Sequence, residues 1–137
     1  MIPNILKSVL PNENILKVFG DDYPTYDETC VRDYVHVTDL AQAYLLGLEN
    51  MEKGKGFSSF NLGNGNGFSV LEVIESCERA ENVEVTYKID GRREGDPPSL
   101  VADSNKAKES LVWKPKFGSL DSIISSALKC HREERGG

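Results

Sequence analysis

Three glycines at every second position stand between a short apolar run and a helical pattern, in Phe60–Val70, FNLGNGNGFSV. Amides at a glycine-rich strand-to-helix turn can cradle a pyrophosphate, so Gly63, Gly65 and Gly67 raise dinucleotide binding as a possibility. A dinucleotide fingerprint spaces its glycines G-x-G-x-x-G, the third packing helix against strand. Here the third glycine arrives one residue early, and the helix cap is Ser69. The spacing therefore favours a tight turn whose glycines supply positive φ. Glu84 and Asp90 lie downstream where a ribose-binding acid would, but acids are common and weigh little. Cys30, Cys77 and Cys130 form no C-x-x-C, and His36 and His131 form no ligand cluster with them. The expectation is free thiols in a reducing cytosol, with neither a zinc site nor a disulfide frame. His36 is a general base by type, yet reads as structural.

The chain around these residues has the size of one domain, 137 residues, with 39% apolar and 28% charged side chains. A net charge of −6 argues against a nucleic-acid partner, which would need a basic face. It leaves room for a small anion held by well-placed arginines. No apolar run is long enough to span a bilayer, and MIPNILKSVL does not read as a signal peptide.

The elements that must position the chemistry follow from periodicity. Ile2, Ile5, Leu6 and Val9 make a helical stripe, with Pro11 as its stop. Ile15–Phe19 reads as a strand, residues 20–29 as a solvated acidic loop, and Val31–Val37 as an extended segment. Thr38 should cap a helix over 39–51, whose buried side is Leu40, Ala43, Tyr44, Leu48 and Met51. Residues 57–62 should form a strand. Ser69 and Glu72 fit a capping box. Val83–Ile89 should be a strand, Ala102–Leu111 a helix capped by Asp103, and Ser119 the cap of a last helix. About five helices and three or four short strands give an α/β or α+β chain. Helix 39–51 and strand 57–62 want more sheet than that supplies.

Residues 20–49, GDDYPTYDETCVRDYVHVTDLAQAYLLGLE, closely resemble the segment that marks UDP-glucose 4-epimerases of the extended short-chain dehydrogenase/reductase group. FNLGNGNGFSVLEVI (60–74) and RREGDPPSLVADSNKAKESLVWKPK (92–116) continue the match in order. RDYVHV and RREGD are highly specific together. The resemblance implies an α/β fold. Residues 1–137 would be the C-terminal UDP-sugar-binding portion, with 35–75 carrying late strand and helix pieces of an otherwise missing Rossmann domain. The NAD-binding half, with its Gly-rich loop and catalytic Tyr-x-x-x-Lys, would precede it. None of the five tyrosines here has lysine four residues on. The family mechanism takes hydride from C4 of the sugar onto NAD, rotates the keto sugar and returns hydride to the other face. This chain alone is expected neither to bind NAD firmly nor to epimerise.

The resemblance also assigns roles. Arg32 and Arg93 match arginines that clamp the pyrophosphate, a task suited to forked guanidinium donors. Asp96 matches an acceptor for ribose hydroxyls. Lys17, Val18 and Phe19 match the stretch lining the uracil, and Tyr34 matches a tyrosine lining the site. Arg92 reads as a solvated charge. Glu28 departs from the family's usual glycine, Pro97-Pro98 is stiffer than usual, and Leu100 replaces an aromatic found in some members. The expected partner is UDP-glucose or UDP-galactose in a cytoplasmic setting, with a homodimer or self-association through exposed apolar surface. The alternatives are a non-catalytic UDP-sugar-binding or interaction module and an epimerase for another UDP-sugar, such as UDP-xylose or UDP-arabinose.

Overall fold

The computed structural model describes residues 1–9, 15–52, 54 and 56–135. Among them are five helices, α1 (Ile2–Val9), α2 (Val37–Glu52), α3 (Val70–Glu81), α4 (Asn105–Ser110) and α5 (Leu120–Arg135). Five short strands, β1 (Leu16–Phe19), β2 (Val31–Arg32), β3 (Phe68–Ser69), β4 (Tyr87–Asp90) and β5 (Ser99–Leu100), form two sheets. β1 pairs parallel with β4, and β2 lies between antiparallel β3 and parallel β5. The expected stop at Pro11 lies outside the described residues.

Two hydrophobic cores organise these elements. The first joins Ile5 and Leu6 of α1, Val18 of β1, α3 through Val73, Ile74 and Cys77, and α5 through Ile124 and Leu128. Each fully buried aliphatic side chain there contributes roughly 1.5–3 kcal/mol. Those stripes were legible as i, i+3, i+4 spacing, and so was the start of α3. The Ser69 hydroxyl accepts from the Glu72 amide at 3.1 Å, and the Glu72 carboxylate accepts from the Ser69 amide at 2.8 Å. Ser119 caps α5 as expected, accepting from the Ser122 amide at 3.2 Å.

The second core is smaller: Ala43, Ala107, Leu111 and Trp113, with Phe60 and Leu62 against them. Here several expectations need correction. Residues 57–62 pair with no strand, because neither small sheet extends to them. Tyr44, Leu48 and Met51 are exposed on α2, not buried, since no sheet covers that face. The α2 cap is His36, not Thr38; its Nδ1 accepts from the Thr38 amide at 3.1 Å, and its ring stacks on Phe117. Of the segment Val31–Val37 only β2 is strand, and of Val83–Ile89 only the end joins β4. α4 starts at Asn105 after Ser104, with the Asp103 carboxylate accepting from the Asn105 amide at 2.9 Å.

The loop 20–29 is less solvated than its acids suggest. Tyr23 and Thr29 are buried, and the Asp27 carboxylate accepts from the Thr29 amide at 3.0 Å and from the Ser69 hydroxyl. Glu28 has φ +64°, a left-handed conformation that suits the glycine usual in the resembled family.

Asp33 ties the turn after Leu62, and Ala102, to the end of β2. Its carboxylate accepts from the amides of Asn64 at 2.8 Å and Ala102 at 3.1 Å, and more weakly from Gly65 at 3.4 Å. Removing such an acceptor leaves amides unsatisfied, at about 1–3 kcal/mol each. Asp33→Ala should therefore lower unfolding stability by about 3 kcal/mol in urea titrations, and Asp33→Asn by less. A midpoint unchanged in Asp33→Ala would remove Asp33 from this role.

Candidate functional site

Strand alternation at β1 decides which side chains can meet a ligand. Leu16 and Val18 turn into the first core, Val18 being wholly buried, so its side chain lines no cavity. Lys17 and Phe19 turn the other way. They line a cavity of about 360 Å³ together with Asn4, Lys7, Ile15 and Arg93, and Leu16 also reaches its wall. The Arg93 guanidinium lies over the Phe19 ring, 3.8 Å from its centroid, a cation–π contact. The Lys17 ammonium donates to the Asp90 carboxylate at 3.0 Å. That bond, with a second from the Gly91 amide, holds the Asp90 carboxyl below the usual carboxylate range.

From Arg93 the chain makes a tight turn. The Asp96 amide donates to the Arg93 carbonyl at 3.2 Å, with Gly95 between them at φ +81°. The turn brings the Asp96 carboxylate to 3.4 Å from Arg32 Nη2. Arg32 is itself anchored, because its Nη1 donates to the carbonyls of Val31 at 2.8 Å and Pro97 at 2.9 Å. Its Nη2 is buried without a hydrogen bond. Lys17, Phe19 and Arg93 thus meet on one cavity, and Arg32 and Asp96 pair one turn further along. Arg92 is engaged elsewhere, with Asp22 at 2.6 Å and the Tyr23 ring.

Tyr34 packs against the first core and is not among the residues lining that cavity. Its hydroxyl is buried without a hydrogen-bond partner, and burial pushes the phenol up to about 12, partly offset by the nearby Arg32 charge.

The glycine turn is built against an anion. Asp33 already accepts the amides of Asn64 and Gly65, so a carboxylate occupies the place a cradled phosphate would need. A Cβ at Gly63 would meet that carboxylate and the Ala102 methyl, which explains the close approach glycine permits. The turn does not fit a dinucleotide. A second cavity, about 570 Å³ and mostly apolar, lies between α2 and residues 56–62, with Tyr44, Leu48, Met51 and Phe57 on its rim. Among the described residues no histidine, cysteine and carboxylate group is arranged to hold a metal, and no helix is long and apolar enough to cross a membrane.

Asn4 and Lys7 are the site residues that sequence reasoning missed. Their signal was present: they fall three apart on α1, beside the buried Ile5 and Leu6.

Comparison with known proteins gives the family and the fold. The family model described as GDP-mannose 4,6 dehydratase matches residues 1–126. A UDP-glucose 4-epimerase of Lactobacillus helveticus is 46% identical over all of this chain, which covers 42% of that relative. A crystal structure of a UDP-glucose 4-epimerase superposes with a TM-score of 0.90 at 43% identity, covering 99% of this chain and 41% of the other. The Bifidobacterium longum UDP-glucose 4-epimerase, solved in complex with NAD+ and UDP, gives 0.87 at 35% identity, covering 99% of this chain and 40% of its own. The chain belongs to the family of that model, with the α/β fold of extended short-chain dehydrogenase/reductases, and spans about two fifths of these relatives' length.

The buried phenol has a measurable consequence. The Tyr34 hydroxyl ionises near 12 in the fold and near 10 when unfolded. The unfolded chain therefore loses this proton first, and stability from Tyr34 is full below pH 10 and is lost as pH rises toward 12. Urea titrations across that range should show a stability loss that shrinks in Tyr34→Phe; an identical loss in the variant would contradict the burial argument.

Proposed function

We propose that this chain supplies the UDP-sugar-binding portion of a UDP-glucose 4-epimerase, an isomerase interconverting UDP-galactose and UDP-glucose. The carrying observation is that Lys17, Phe19 and Arg93 share one cavity, connected through the 93–96 turn to Arg32 and Asp96. Likeness to epimerases over the whole chain supports the reading, as does one relative's capture with UDP. In this reading Arg93 and Arg32 bind the diphosphate, each charge-assisted bond contributing roughly 1.5–3 kcal/mol. Asp96 accepts from the ribose hydroxyls, and the Phe19 ring and the backbone of Lys17 and Val18 face the uracil. Tyr34 lines the sugar side. Binding exchanges internal partners, since Arg93 leaves the Phe19 face and Asp96 gives up Arg32.

The residues here take no part in hydride transfer. NAD and its catalytic tyrosine belong to the part of the relatives' length that this chain does not span. Residues 35–75 act as late Rossmann pieces, and the apolar face of α2 with residues 56–62 packs on the remainder of that domain. Free thiols and a nucleotide-sugar ligand suit a cytoplasmic setting.

Calorimetry with UDP tests the binding role. The 137-residue chain should bind UDP, and Arg93→Ala or Arg32→Ala should weaken it about tenfold or more. The same chain should show no UDP-galactose to UDP-glucose conversion. Binding indifferent to both arginines would defeat the reading.

The uncovered apolar face should make the isolated chain self-associate. Sedimentation velocity should show mass rising with concentration, and Leu48→Lys should suppress it. A single monomer boundary throughout would count against the packing role.

A further inference from the structure

We propose that Lys7, with Asn4 beside it, is a phosphate-contacting residue of the cavity formed by α1, β1 and Arg93. The inference rests on the nucleotide-sugar reading and assigns the residues of α1 that read ligand charge.

The observation begins with the helix. Ile5 and Leu6 are buried in the first core, at 0% and 3% exposure. Asn4 and Lys7, three residues apart, share an exposed side of α1. Both line the cavity that Lys17, Phe19 and Arg93 line. Three cations therefore surround it, and no carboxylate is among its described lining residues, on a chain of net charge −6. Such a local reversal of sign draws an anion.

The three cations are not equivalent. Lys17 is tied to Asp90, and Arg93 is stacked on Phe19. Lys7 makes no ion pair with any described carboxylate. Among the described residues its ammonium has no carboxylate partner, and a compact ammonium with three donors suits a phosphate oxygen. The Asn4 amide adds two donors and an acceptor on the same wall.

A purely structural role exists for Lys7, since a cation in the last turn of α1 favours the helix dipole. The two roles separate by ligand. Calorimetry on the full chain should use UDP, UMP and uridine at low and high salt. Lys7→Gln should weaken UDP about five- to tenfold, UMP by less and uridine not at all. The salt dependence of UDP binding should fall, and Lys7→Arg should retain most affinity. Equal losses for UDP and uridine would mean a folding effect and overturn the proposal. So would UDP affinity within about twofold of the parent in Lys7→Gln while Arg93→Ala loses binding, an outcome that leaves the nucleotide reading intact. Absence of UDP binding by the parent chain would overturn both.

Discussion

Asp33 sits at the end of β2, and its carboxylate collects amide hydrogens from Asn64, Gly65 and Ala102. The three donors flank β3 and β5, whose ladders with β2 are only two residues long. Without this acceptor, the turn after Leu62 and the strand leading to α4 would carry unmatched donors into a partly buried region. Two further aspartates work similarly. Asp39 accepts from the amides of Lys116 at 2.8 Å and Phe117 at 2.9 Å, and Asp27 organises the loop before β2. In a chain with strands of two to four residues, carboxylate-to-amide bonds replace long ladders as the means of fixing loops. The position of Arg32 follows from this scaffold, because it precedes Asp33 and leans on β5's entry at Pro97.

Three cations of the candidate site meet internal partners. Arg93 finds an aromatic face, Lys17 a carboxylate and Arg32 a carboxylate with two carbonyls. These contacts keep cations oriented without burying them unpaired, which would be costly. A ligand is then bound by the difference between its contacts and those it displaces. The arrangement favours ligands carrying both a flat ring and more than one negative charge.

What could be read from residues alone was mostly local. The capping box at Ser69, the helical stripe from Ile2 to Val9 and the strand ending at Phe19 depend on nearest neighbours, and each appears as expected. The strand at 57–62 and the buried side of α2 did not, because both depend on a sheet these residues do not themselves build. Thr38 is a good cap by type, but the backbone turned two residues earlier and His36 took the position, supported by Phe117. Arg32, Arg93 and Asp96 were marked by motif resemblance, not by periodicity. Asn4 and Lys7 carried no motif, only a three-residue spacing beside Ile5 and Leu6, and the packing of α1 beside β1 brings them to the cavity. Asp33 is a polar residue among the valines of 31–37, and its carboxylate accepts three backbone amides.

Trp113 is the chain's one tryptophan, fully buried in the second core, with its Nε1 donating to the Asp39 carbonyl at 3.0 Å. The residue before it, Val112, is held at φ +56°, while Leu111 and Trp113 on either side both turn inward. Indole emission therefore comes from one core alone, while far-ultraviolet dichroism is dominated by the long helices, of which α3 and α5 belong to the other. The molecule thus carries its own spatially resolved optical reporter, able to distinguish melting of the smaller core from melting of the larger one without any label.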